Sequence, residues 1–208
     1  MNIVILGATG GTGIELIKQT IEAGHSVTAL VRDPKALKPF AERIQVKTGN
    51  LLDQDELAAI LHGQDAVLSG FGPRVPLVKT DAHLLREFAT ALTAAMQNTG
   101  VRRLVTISTA FLFRDSIIPP TYLIGRLFFS SVVTDSADLE AIVKRSDLDW
   151  TIVRPPQLTD GSITRNYRER IEHLPRFGFK ISRADVADYF VKILPSGEVT
   201  RKVVGISN

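Results

Sequence analysis

The sequence predicts an α/β fold, a doubly wound and mainly parallel sheet flanked by helices, and three observations predict it. Short apolar runs alternate with amphipathic helical stretches along the whole chain, the order expected of βαβ units. A glycine-rich turn separates the first apolar run from the first helical stretch. The 208 residues include no cysteine, so an apolar core must hold the fold without disulfides, and a single domain of that length can bury one.

The elements follow in order. Residues 2–6 read as a buried strand, 12–23 as a helix closed by Gly24, and 26–31 as a second strand rich in β-branched residues. Residues 44–48 form a third strand, 54–61 a helix with acidic residues in its first turn, and 66–69 a fourth strand. A turn-rich loop over 70–76 leads to a long helical periodicity at 80–98, which Gly100 ends, and 103–107 resumes a strand. Residues 108–134 look irregular. A helix at 135–146 and a strand at 150–153 follow, the strand stopped by Pro155 and Pro156. Ser182 with Asp185 resembles a helix start running to about 194, and 202–206 is a last strand. No repeat or linker divides the chain, so 1–208 reads as one domain, with small substrate-covering regions around 110–134 and 157–182.

Composition excludes several function classes. Hydrophobic residues at 44% and charged residues at 23% are those of a globular protein rather than a disordered one. The formal charge of +3 is spread over scattered Lys and Arg, without the run or stripe that tracks nucleic acid. The opening residues lack a signal peptide's basic and long apolar regions, and Pro119, Pro120, Gly125 and Arg126 interrupt the apolar stretch 117–133, so neither secretion nor a membrane span is expected. That stretch reads equally as a loop and short helix packed onto the core or as a lid or dimer face. A cytoplasmic protein, monomeric or homodimeric, is the expectation. His25, His62, His83 and His173 have no ligand-like spacing, so no metal site is expected, and no GxSxG elbow supports a hydrolase.

The turn ILGATGGTG places Gly7, Gly10 and Gly13 after a strand and at the mouth of a helix, the context of a Rossmann dinucleotide loop. The first glycine makes the tight turn, the second lets backbone approach the pyrophosphate, and the third lets helix and strand pack closely. Thr9, Gly11 and Thr12 complete this phosphate cradle, whose free N–H groups face the anion. The residue after the second strand then selects the cofactor: an acid grips the ribose 2′-hydroxyl, an arginine a 2′-phosphate. Arg32 stands there with Lys35 nearby, which favours NADP(H) over NAD(H) unless Asp33 turns inward to the ribose. Ligands of open α/β sheets bind outside the strands' carboxyl ends, which adds Asn50, Leu51, Phe71, Gly72, Arg74, Ser108, Thr109, Pro155, Pro156 and Gln157 as candidates.

The segments GATGGTG, VRDPKAL, GNLLD, GQDAV, STAFLF, WTIVRPP and ISRADVADY together resemble the atypical short-chain dehydrogenase/reductases of the NAD(P)H-binding, NmrA-like group. The likeness spans nearly the whole chain and is nearest to the biliverdin-IXβ reductase, or flavin reductase, branch. It implies NADPH-dependent hydride transfer to a flavin, linear tetrapyrrole or similar conjugated small molecule. It places Thr109 where that branch has its active-site serine hydroxyl, Gln157 where it has a histidine, and Asn50 where it has an aspartate. Phe111 and Phe113 would form an apolar floor beneath the acceptor. The YxxxK pair of ordinary short-chain dehydrogenases is absent: Tyr122 is followed by Arg126, which cannot relay a proton as a lysine does, so Tyr122 is not expected to be a general acid. That absence also suits a second reading, a non-catalytic NADP(H)-binding regulator that senses redox state and binds a protein partner. Nucleotide-sugar chemistry would require a further substrate domain.

Overall fold

The computed structural model describes residues 1–72, 83–113 and 130–208. Its main sheet contains β1 (Asn2–Leu6), β2 (Ser26–Val31), β3 (Gln45–Thr48), β4 (Ala66–Ser69), β5 (Arg103–Ile107) and β6 (Asp149–Arg154). β7 (Gln157–Thr159) and β9 (Lys180–Ser182) pair in a small parallel ribbon, while β8 (Arg168–Ile171) and β10 (Lys202–Ser207) complete the main sheet. Its order is β3-β2-β1-β4-β5-β6-β10-β8, parallel throughout except for β8, which runs antiparallel to β10 at the edge.

The helices are α1 (Gly11–Glu22), α2 (Gln54–Leu61), α3 (Leu84–Thr99), α4 (Ser130–Arg145) and α5 (Arg183–Ile193). Alternation along β1 shows how they divide the core. Val4 and Leu6 enter one apolar cluster with Leu57, Phe88, Leu92 and Leu139, from α2, α3 and α4. Ile3 and Ile5 enter the other, with Leu16, Ile17, Val186 and Phe190 from α1 and α5. A strand buried on both faces needs the unbroken apolar run that the sequence supplies.

Winding reverses between β1 and β4, which pair in parallel as Ile3 with Ala66 and Ile5 with Leu68. β2 and β3 lie on one side of β1, and the later strands lie beyond β4. At such a switch point the two connecting loops diverge to opposite faces and open a crevice at the carboxyl ends of the strands.

The elements read from sequence are present, with three differences. Residues 130–134, expected to be irregular, belong to α4. Residues 34–40 form a 3₁₀ helix that Asp33 starts by accepting the Lys35 N–H at 3.0 Å. The stretch 157–182 contains three short strands that alternation could not reveal, since all four residues of β8 are exposed. No helix among the described residues is long and apolar enough to cross a membrane.

Candidate active site

The loop after β1 is a tight backbone cradle. Gly7 adopts a φ of +71°, and a Cβ there would lie 2.6 Å from the Phe71 amide nitrogen. The loops after β1 and β4 therefore pack backbone to backbone, which only glycine allows. At Gly13 a Cβ would collide with the Gly7 carbonyl, and the Gly10 N–H donates to that same carbonyl at 3.0 Å. Gly10 is the N-cap of α1, no side chain caps the helix, and its first turn carries no acidic residue. Thr12 is buried and Gly11 is exposed. The first N–H groups of α1 thus open at a helix terminus whose dipole is positive, with no acidic residue in its own first turn to offset it.

Arg183, the first residue of α5, lies across this opening. A Cβ on Gly11 would stand 2.7 Å from its Cδ and 2.9 Å from its Nε, and its Nη1 donates to Asp160 at 2.5 Å.

At the end of β2, Arg32 is exposed and makes no ion pair or hydrogen bond among the described residues. Asp33 is engaged with its own loop, accepting the Lys35 N–H and standing 3.7 Å from the Lys35 ammonium. Asn50 is exposed, its N–H donating to Glu56 at 2.5 Å and its side-chain oxygen accepting the Leu52 N–H at 3.1 Å. The Leu51 side chain is buried in the core cluster with Leu57 and Phe88, so its backbone is what faces the crevice after β3. Phe71 packs against Phe88 at 4.6 Å between ring centroids, and Gly72 has open space where a side chain would be.

The ends of β5 and β6 are laced together. The Ser108 N–H donates to the Val153 carbonyl at 2.8 Å, and the Ala110 N–H to the Pro155 carbonyl at 3.1 Å. Thr109 caps the short turn that follows, its hydroxyl oxygen accepting the Phe111 N–H at 3.3 Å. Pro156 is half-buried and Gln157 exposed beside it. Phe113 does not line a floor: it is 3% exposed and lies under the Arg154 guanidinium, 4.5 Å from its centre.

The sequence reading missed the carboxylate beneath this region. Glu140, on α4, is 3% exposed and accepts Arg154 Nε at 2.8 Å, Arg154 Nη2 at 2.6 Å, Lys144 Nζ at 2.9 Å and the Ser108 hydroxyl at 2.7 Å. Burial pushes its pKa up, but the hydrogen bonds and charge of Arg154, with those of Lys144 and Ser108, outweigh burial and hold it below the ordinary glutamate value. The Ser108 side chain is therefore committed to Glu140. The only sequence hint lay in WTIVRPP, where Arg154 immediately precedes the prolines.

Folding brings His83, Asp135 and Asp138 together, with their ligand atoms within 4.8 Å of one another. Both Asp135 oxygens already accept backbone N–H groups of α3, from Leu85 at 2.8 Å and Arg86 at 3.0 Å. Arg74, Tyr122 and Arg126 lie outside the described residues, as do residues 117–129 of the apolar stretch.

Residues 7–196 match the NAD(P)H-binding family. The chain belongs to that family. An uncharacterized chloroplastic protein of Arabidopsis thaliana is 30% identical over 213 residues, covering 98% of this chain and 75% of its own. A wide-type short-chain dehydrogenase/reductase of Veillonella parvula, solved with NADP, superposes with a TM-score of 0.83 at 19% identity, over 100% of this chain and 94% of that one. An anaerobilin reductase of Escherichia coli O157:H7 gives 0.79 at 21% identity, over 100% and 97%. The fold is thus Rossmann-like and shared with atypical short-chain dehydrogenase/reductases. The cradle at Gly7 and Gly13 and the uncapped start of α1 suit a dinucleotide's pyrophosphate.

Proposed function

We propose that this protein is an NADPH-dependent reductase that delivers hydride to a conjugated acceptor, a flavin, a linear tetrapyrrole or a molecule like them. The observation that carries the cofactor choice is the division of labour after β2. Asp33 is turned to the Lys35 N–H and ammonium, while Arg32 is exposed and unengaged among the described residues, placed to pair a 2′-phosphate in the bidentate way guanidinium favours. Support for the acceptor class comes from the resemblance in STAFLF and the paired prolines and from the likeness in fold to the anaerobilin reductase.

When bound, the nicotinamide supplies the hydride. The chain's contribution is placement. The α1 terminus and glycine cradle hold the phosphates, and Arg32 and Lys35 hold the adenosine end. Thr109 presents a hydroxyl whose oxygen is fixed by the Phe111 N–H, leaving its hydrogen to donate. Glu140 and Arg154 brace the backbone on either side of it. A conjugated acceptor takes hydride into its own π system, so water can supply the proton and no tyrosine–lysine pair is needed.

The test is the rate of NADPH oxidation by the purified protein on addition of FMN, with NADH alongside and a protein-free blank subtracted. Saturable turnover that prefers NADPH supports the reading. Binding of NADPH without turnover on flavins or biliverdin overturns these two acceptors and leaves another acceptor or an NADP(H)-binding regulator.

A further inference from the structure

The dinucleotide fingerprint uses Gly7, Gly10 and Gly13, and it gives no reason for a fourth glycine at position 11. Gly11 does not have a positive φ, so backbone conformation does not require it either. Its neighbour supplies the reason. Arg183 crosses directly over its Cα, and any side chain at position 11 would occupy the space of the arginine's Cδ and Nε.

Arg183 is held there by its element. The buried Gln19 amide of α1 donates to the Ala184 carbonyl at 2.7 Å and fixes the start of α5 against α1. The Ser182 hydroxyl accepts the Asp185 N–H at 2.9 Å, and the fully buried Asp185 carboxylate accepts the Thr164 N–H at 2.7 Å and the Arg165 N–H at 2.8 Å.

The electrostatics of this position are adverse for a cation. Arg183 is the first residue of α5, whose N-terminus Ser182 caps and Asp185 offsets, but it also stands over the first residue of α1, whose N-terminus has neither a side-chain cap nor an acid in its first turn and is equivalent to a partial positive charge. Among the described residues its one ion-pair partner is Asp160, whose side chain is 90% exposed and therefore well screened. A diphosphate at the α1 terminus would turn the same arrangement favourable, since it would meet the N–H groups of α1 and a guanidinium able to bind two phosphate oxygens at once.

We propose that Arg183 is a binding residue for the pyrophosphate of the dinucleotide, with Asp160 as the partner that holds its guanidinium when no anion is present. The proposal rests on the dinucleotide reading of the glycine loop but not on NADPH preference or turnover.

Isothermal titration of the purified protein with NADPH, NADH and ADP tests it. Arg183→Met keeps the aliphatic stem over Gly11 and removes the charge. It is expected to raise the Kd for all three ligands by a common factor of about ten or more, with thermal melting near wild type. Asp160→Asn is expected to tighten all three about two- to threefold in the wild-type background and to do nothing beside Arg183→Met. Wild-type affinities in Arg183→Met reduce the arginine to packing and overturn the proposal. A loss confined to NADPH assigns it to the 2′-phosphate and overturns it equally. No change in Asp160→Asn, or equal tightening in both backgrounds, removes Asp160 from its holding role. Failure of the wild-type protein to bind any of the three would instead defeat the dinucleotide reading itself.

Discussion

Glu140 and Arg154 meet in a two-point ion pair, 2.8 Å and 2.6 Å long, with both side chains nearly excluded from water. The pair joins α4 to the carboxyl end of β6, and through the Ser108 hydroxyl it reaches the end of β5 as well. Its geometry fixes the two strand ends that flank Thr109.

Removing one member of such a pair leaves a buried charge without its partner. Glu140→Gln is therefore expected to cost about 3–5 kcal/mol, since it strands Arg154 over Phe113. In a domain of this size that lowers Tm by about 6–20 °C. The pH dependence has a definite sign. The folded pKa of Glu140 is depressed, so its contribution is complete above the unfolded glutamate value and is lost as pH falls through the folded one. Urea unfolding from pH 7 to pH 2 is expected to show the wild type losing its advantage over Glu140→Gln below about pH 4. A constant difference across that range would contradict the depressed value.

Much of this architecture was legible in the sequence, for identifiable reasons. β1, β2 and β4 to β6 announce themselves because strands buried on both faces are mostly apolar, and Gly100 marks the end of α3 because a left-handed cap favours glycine. β8 was invisible because an exposed edge strand reading RERI has no apolar alternation. Glu140 and Arg154 escaped notice because a buried charge pair is a property of packing, not of spacing. The place of Leu51 after a strand and of Phe113 in STAFLF says nothing of side-chain direction, and packing against the core cluster sends both inward. Gly11 reads as one more loop glycine, and its surplus is the local sign of Arg183.

Two glycines with nearly the same φ separate backbone strain from close packing. Gly7 and Gly24 have φ of +71° and +79°, but a Cβ at Gly24 meets nothing within 4 Å, whereas at Gly7 it meets the backbone of Phe71. Gly24→Ala is expected to cost about 1–2 kcal/mol from left-handed strain alone. Gly7→Ala adds the displacement of the Phe71 loop, so it is expected to melt lower than Gly24→Ala and to lose NADPH binding, which Gly24→Ala retains. Thermal melting with and without NADPH measures both. Equal behaviour of the two variants would show that the β1 and β4 loops part without consequence.

The cofactor assignment turns on Arg32. Arg32→Ala is expected to raise the Kd for NADPH about tenfold or more, the loss of a charge-assisted contact, while the Kd for NADH changes by less than about twofold. Asp33→Ala removes the cap of the 3₁₀ turn and is expected to cost about 1 kcal/mol of stability without reversing the preference. Should Asp33→Ala weaken NADH selectively, the aspartate would be the ribose ligand and the preference would belong to NAD.

Thr109 separates placement from binding. Its oxygen accepts the Phe111 N–H, so Thr109→Ser preserves the turn and the hydroxyl, whereas Thr109→Ala removes both the cap and the donor. With FMN as acceptor, Thr109→Ala is expected to lower kcat about three- to tenfold, the equivalent of one ordinary hydrogen bond, with the Kd for NADPH nearly unchanged. Thr109→Ser is expected to recover most of that loss. The neighbouring Ser108→Ala tests the alternative, because its hydroxyl is spent on Glu140 and its loss acts on stability first. A kcat defect larger in Ser108→Ala than in Thr109→Ala, with both proteins folded, would move the working hydroxyl from one residue to the other and make the Glu140 contact part of the reaction rather than part of the frame.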